Sequence, residues 1–192
     1  MKTETRKDEI IKTAAKLFKE KGYSAVTMRD LASEMGIKAA SLYNHINSKQ
    51  EILKEIIISL AEEFTEGLQN IQKSDLTNIE KLQKIVALHV NITAKNTYKM
   101  ASLNNDWMHL KEKREYYLQL RANYENQFRN IILQGVKNNE IIDENVEVML
   151  FSMLSTLRSL YLWIPKKEDL KPENLSKQLS QVLINGINKK IN

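Results

Sequence analysis

The residues of this 192-residue chain that could do chemistry do not assemble into a reaction centre. There is no cysteine, which excludes thiolate nucleophiles, disulfides and Cys-based metal sites. The three histidines, His45, His89 and His109, are scattered, with no HExxH pairing and no glycine loop of the phosphate-cradling kind. Glu62 and Glu63 lie on a helical tract and read as a solvated face. A small helical enzyme is therefore the weaker reading, and no catalytic residue, cofactor or metal is expected. The concentrated polar chemistry lies in Lys38-Ala39-Ala40-Ser41-Leu42-Tyr43-Asn44. Ser41, Tyr43 and Asn44 offer hydrogen bonds, Ala39 and Ala40 let a backbone approach a groove, and Leu42 faces inward. This is the chemistry of recognition, not of bond making.

Those residues need helices to position them. Thr5 with Asp8, Thr27 with Asp30 and Ser48 with Glu51 have the spacing of capping boxes, in which each side chain satisfies an orphan N–H at a helix start. Ile10, Ile11, Ala14, Ala15, Leu17 and Phe18 recur at helical spacing up to Gly22, which suits a left-handed helix end. A second, short helix carries Leu31, Ala32 and Met35 inward and stops at Gly36, and a third runs from about Lys38 to Asn44. Two short helices across a glycine turn, with a third in front, make the minimal helix-turn-helix. The same spacing suits a three-helix scaffold with incidental surface polarity, so both readings stay open at this point.

Beyond Ser48 a long helix carries Ile52, Leu53, Ile56, Ile57, Leu60, Ala61 and Phe64. After a polar connection at 72–78, a helix is expected near Ile79–Ala94. An irregular aromatic and methionine-bearing stretch follows over Tyr98–Leu110, then a long helix from about Lys113 to Lys137. Asp143 or Asn145 can cap a helix over Val146–Trp163, and Pro172 suits the first turn of a last helix reaching Lys189. Few glycines and prolines and many helix formers make the chain all-α. The formal charge of +5 is uneven: residues 1–50 carry ten Lys/Arg against six Asp/Glu, the rest nineteen against eighteen. A local excess of this kind suits a phosphate-facing module. Polar residues from Met1 to Asp8 and the lack of roughly 20 uninterrupted apolar residues lead to the expectation of a cytoplasmic protein without a membrane span.

The run from Thr27 to Glu51, with Ala14-Ala15, Leu17-Phe18 and Lys21-Gly22-Tyr23 upstream, resembles the DNA-binding signature of the tetracycline-repressor (TetR) family. The resemblance covers about residues 5–57 and implies a repressor that binds a double-stranded, palindromic operator as a homodimer. It implies that Thr27 opens a helix whose N–H groups meet a phosphate, that Tyr43 and His45 touch the DNA backbone, and that Lys49 pairs with another phosphate. Lys38, Ala39, Ser41 and Asn44 would line the groove-facing side. Thr27 could instead be only an N-cap, Tyr43 a packed ring and Asn44 a solvated side chain. The chain departs from the family pattern at Lys38, where a Ser/Thr cap is common and its loss costs about 1 kcal/mol, at Ala40, where Gly is frequent, and at Ile46, where Phe is frequent. A sequence-indifferent DNA-coating protein is the alternative, against which Ser41 and Asn44 argue mildly.

The resemblance further implies two domains: residues 1–50 bind DNA, and residues 51–192 form a helical ligand-binding and dimerisation domain. Leu154, Leu157, Tyr161, Leu179 and Leu183 are the expected dimer interface. The effector is expected to be a mostly apolar, lipid-like or acyl-bearing small molecule held among Trp107, Tyr117, Tyr124, Phe128 and Met153, since aromatic and methionine side chains fit varied apolar shapes. His89, His109 and Arg158 are candidate polar anchors. The helix after Ser48 would be the lever between pocket and DNA.

Overall fold

The computed structural model describes residues 5–167 and 170–186. Every element described is helical: α1 Arg6–Lys21, α2 Met28–Glu34, α3 Ala39–Tyr43, α4 Lys49–Gln72, α5 Asn78–Lys95, α6 Thr97–Asn105, α7 Arg114–Lys137, α8 Val146–Trp163 and α9 Pro172–Asn185, with 3-10 turns at Trp107–His109 and Ile164–Lys166. The expected last helix beyond Gly186 lies outside the described residues. The chain divides into two compact units, residues 1–61 with 96–118, and 62–95 with 119–192. The first compact unit therefore runs past residue 50 and takes in a later segment.

In the first unit, the Thr5 and Thr27 capping boxes form in both halves. The third is altered: Ser48 Oγ accepts from Glu51 N–H at 3.1 Å, while the Glu51 carboxylate reaches back to the N–H and side-chain amide of Asn47, both at 2.9 Å. Gly22 and Gly36 take φ of 82° and 64°, left-handed conformations that other residues adopt only with strain. The start of α4 buries Ile52, Leu53, Ile56, Ile57 and Leu60 almost completely, each contributing about 1.5–3 kcal/mol. The stretch expected to be irregular is largely helical. Met100, Ala101 and Leu103 of α6 are buried and α6 packs on α1, so tertiary contact supplies what its weak local pattern lacks.

In the second unit, α5 packs against α8 and α9. Helix α7 closes through Asn139 at φ 59°, with Glu140 N–H returning to the Gly135 carbonyl at 2.8 Å. The Glu140 carboxylate then caps α5, accepting from the N–H groups of Asn78 at 2.6 Å and Ile79 at 3.2 Å. Asn145 caps α8 by accepting from Glu147 and Val148 N–H. Residues Val146–Lys166 are long and apolar enough by length and composition to cross a membrane. The buried residues Met149, Leu150, Met153, Leu154, Leu157, Leu160 and Tyr161 account for much of that apolarity as protein core.

Candidate DNA-binding surface and effector site

The recognition surface is built on α3. Leu42 has no exposed surface and Ile46 almost none, so the short helix is pinned by its apolar side. Lys38, Ala40, Ser41, Tyr43, Asn44 and His45 are exposed, and Ala39 is half-buried. Lys38 stands at the N-cap without a side-chain hydrogen bond, as its residue type dictates. The helix thus gives up a cap and presents a cation. Thr27 Oγ1 accepts from Asp30 N–H at 3.1 Å, and the Asp30 carboxylate accepts from Thr27 N–H at 2.8 Å. The Thr27 hydroxyl holds the Asp30 carboxyl below its ordinary pKa.

Lys49 sits differently from a free phosphate ligand. Its ammonium donates to the carbonyls of Tyr23 at 2.8 Å, Val26 at 2.7 Å and Ser24 at 3.4 Å, and lies 4.3 Å from the Tyr23 ring centre. Burial draws its pKa below the usual lysine value. Its three hydrogens have acceptors inside the protein, so Lys49 ties the α1–α2 connection to the start of α4. Sequence reasoning did not identify its neighbour Gln50, whose amide donates to the Tyr23 hydroxyl at 2.7 Å and to the His109 carbonyl at 2.9 Å. The exposed His109 stacks on Tyr23, with ring centres 5.1 Å apart. These contacts fasten the 107–109 turn to the helix-turn-helix.

The five expected effector residues fall in separate units. Trp107 and Tyr117 belong to the first, with ring centres 6.0 Å apart and the Tyr117 hydroxyl donating to the Leu103 carbonyl at 3.3 Å. Tyr124, Phe128 and Met153 belong to the second, all buried. There, Tyr124 meets His89: hydroxyl and Nε2 are 2.8 Å apart, and Phe64 stacks at a tilt on the imidazole with ring centres 4.7 Å apart. Burial, reinforced by the positive charge of Arg158, lowers the His89 pKa to about 3, so the imidazole is neutral. Burial raises the Tyr124 pKa. Arg158 bonds Glu125 at 2.5 Å, and Arg121 reaches the same carboxylate oxygen at 3.2 Å.

Of the expected interface residues, Leu154, Leu157 and Tyr161 are buried within the chain's own core and have almost no surface to give a partner. Leu179 and Leu183 are half-buried. The outward side of α8 carries Val148, Phe151 and Leu162 instead, and α9 carries Val182. Phe151 and Val182 are each 73% exposed.

A short helix pinned from beneath, with polar side chains outward and a glycine turn before it, defines a helix-turn-helix DNA-binding protein with an all-helical companion domain. Residues 10–56 match the family described as bacterial regulatory proteins, tetR family, and residues 75–187 match the tetracyclin repressor-like C-terminal domain. The chain belongs to the tetracycline-repressor family, whose members are DNA-binding transcription regulators and not enzymes. Over 185 residues it is 24% identical to the HTH-type transcriptional repressor KstR2 of Rhodococcus jostii strain RHA1, covering 95% of this chain and 91% of that one. The ketosteroid transcriptional regulator KstR2 of Mycobacterium tuberculosis matches with a TM-score of 0.91 at 21% identity, over 98% of both chains. AibR, solved in complex with isovaleryl coenzyme A and operator DNA, matches with a TM-score of 0.77 at 21% identity, over 93% of this chain and 97% of that one. At these identities the structural likenesses speak for the fold.

Proposed function

We propose that this chain is a cytoplasmic repressor that binds a palindromic operator in double-stranded DNA as a homodimer and is released by a mostly apolar, acyl-bearing small molecule. One observation carries the DNA half: Lys38, Ser41, Tyr43, Asn44 and His45 are exposed within eight residues, around a helix held by the fully buried Leu42. Lys38, Ala39, Ser41 and Asn44 read base edges, and Tyr43 and His45 hold phosphates. Thr27 caps α2 beside them. Lys49 acts as a strut that fixes the Tyr23–Val26 connection.

Two copies are needed to read successive major grooves, whose centres lie about 34–36 Å apart. The outward apolar residues Val148, Phe151, Leu162 and Val182 supply the interface, with Leu179 and Leu183 at its edge. The effector site takes Phe64, Tyr124, Phe128 and Met153 as apolar walls and His89 as a polar anchor. The complex of AibR with isovaleryl coenzyme A supports an acyl ligand, and the name of the Rhodococcus relative supports repression. The effector works through α4 by binding one of two states more tightly, because equal affinity for both shifts nothing.

The test is fluorescence anisotropy on operator DNA titrated with acyl thioesters and sterols. Loss of bound DNA with a rise in melting temperature is the expected result. If no such compound does either while the DNA complex forms, the effector reading fails and the DNA reading stands.

A further inference from the structure

The His89–Tyr124 pair carries one hydrogen too many. A neutral imidazole has one N–H and a phenol one O–H, and the 2.8 Å contact between Nε2 and the hydroxyl uses a single hydrogen. If Tyr124 donates to Nε2, the proton on His89 sits at Nδ1, which is buried and has no partner. If Nε2 donates instead, the Tyr124 hydroxyl proton is left over. Either tautomer leaves one buried hydrogen without an acceptor. Gln127, one turn further along α7, holds a buried side-chain oxygen that also lacks a partner, so the surplus hydrogen is not met from that side. A buried group left in this condition calls for a further partner, either an ordered water or a bound molecule.

We propose that the effector completes this pair with one uncharged carbonyl oxygen, the acyl oxygen of a thioester, set against Phe64; this rests on the acyl reading above. A single hydrogen matches one carbonyl acceptor. A free carboxylate has about four lone-pair sites, and its charge would be buried with one partner, which is costly. Arg158 and Arg121 are both bonded to Glu125, and each keeps about a third or more of its side chain in solvent, where water and salt weaken its hold on a buried anion. A hydroxyl would bring a further hydrogen of its own. Burial keeps His89 neutral, so the donor count holds at neutral pH.

The test uses full-length protein and three matched probes: octanoyl-coenzyme A, S-octyl-coenzyme A, which lacks only the carbonyl oxygen, and octanoate. Butyryl and palmitoyl counterparts cover chain length. The thioester binds about tenfold more tightly than the thioether, the worth of one buried hydrogen bond, and more tightly than the acid. Tyr124→Phe combined with His89→Phe keeps ring bulk and removes both possible donors, and brings the thioester and thioether affinities closer together. In protein labelled with 15N-histidine, His89 is the buried member of three histidines. Its ring nitrogens shift with the thioester and much less with the thioether. Equal affinity for thioester and thioether, or preference for octanoate, overturns the carbonyl assignment while leaving the acyl reading in place. Binding by none of the probes overturns both.

Discussion

Replacing Lys49 by methionine removes an ammonium and keeps its aliphatic stem, which makes it a clean probe of whether this lysine serves the protein or the DNA. The ammonium has two short carbonyl bonds, at 2.7 and 2.8 Å, a long one at 3.4 Å, and the Tyr23 ring at 4.3 Å. A hydrogen bond to a charged group contributes about 1.5–3 kcal/mol, and a cation that keeps part of its hydration over a ring about 0.5–1. Water replaces part of each, because Lys49 is only half-buried. A net loss of roughly 2–3 kcal/mol follows. At about 2–4 °C per kcal/mol for a chain of this size, the melting temperature falls by roughly 4–12 °C. A lysine serving only a phosphate would change stability by about 0.5 kcal/mol or less and would remove about 0.9 from the slope of log affinity against log salt. Calorimetry without DNA and operator titrations at several salt concentrations separate the two. The structure predicts a lower melting temperature, weaker operator binding and an unchanged slope. An unchanged melting temperature with a slope reduced by about one would refute the strut and restore the phosphate contact.

Three further outcomes are expected. Phe151→Glu combined with Val182→Glu yields a monomer of 22.3 kDa by light scattering. Leu157→Ala instead costs about 2–5 kcal/mol of stability and leaves assembly intact; a dimer that survives the double substitution contradicts the outward face. His45→Ala lowers the salt slope by about one contact without changing base preference, whereas Asn44→Ala relaxes one base pair by about 1–3 kcal/mol. For His89, the native state refuses a proton that the unfolded chain takes up below about pH 6.5. Its stabilisation is therefore complete above that value and is lost as pH falls toward about 3. The slope approaches about 1.4 kcal/mol per pH unit within that window, and a His89→Phe variant whose acid-side slope stays unchanged in urea titrations would contradict a buried neutral imidazole.

The DNA-binding half was legible because its signals are local. Capping pairs three residues apart, Gly22 and Gly36 at left-handed turns and the apolar face of α1 all lie within one or two helical turns of what they determine. What could not be read depends on distant partners. Lys49 finds its acceptors 23–26 residues away, and His89 meets Tyr124 35 residues on. Helix α6 lacks a strong apolar period and owes its order to α1. The interface residues expected on α8 show a related limit. That helix is apolar on more than one side, so periodicity gave no means of choosing between Leu157, which is buried, and Phe151, which faces out. A domain boundary drawn at residue 50 likewise could not foresee that residues 96–118 join the first unit.

The most direct test of the central claim is selection of purified full-length protein on random-sequence DNA at fixed salt, followed by titration of the enriched sequence and of scrambled DNA. An enriched palindrome is expected, with half-sites about 10 base pairs apart, centre to centre. The protein should bind it at least about a thousandfold more tightly than scrambled DNA, with one dimer or a whole number of dimers per site. Enrichment of no palindrome, with equal affinity for selected and scrambled DNA, would show that the surface of α3 holds DNA without reading it and would contradict the account.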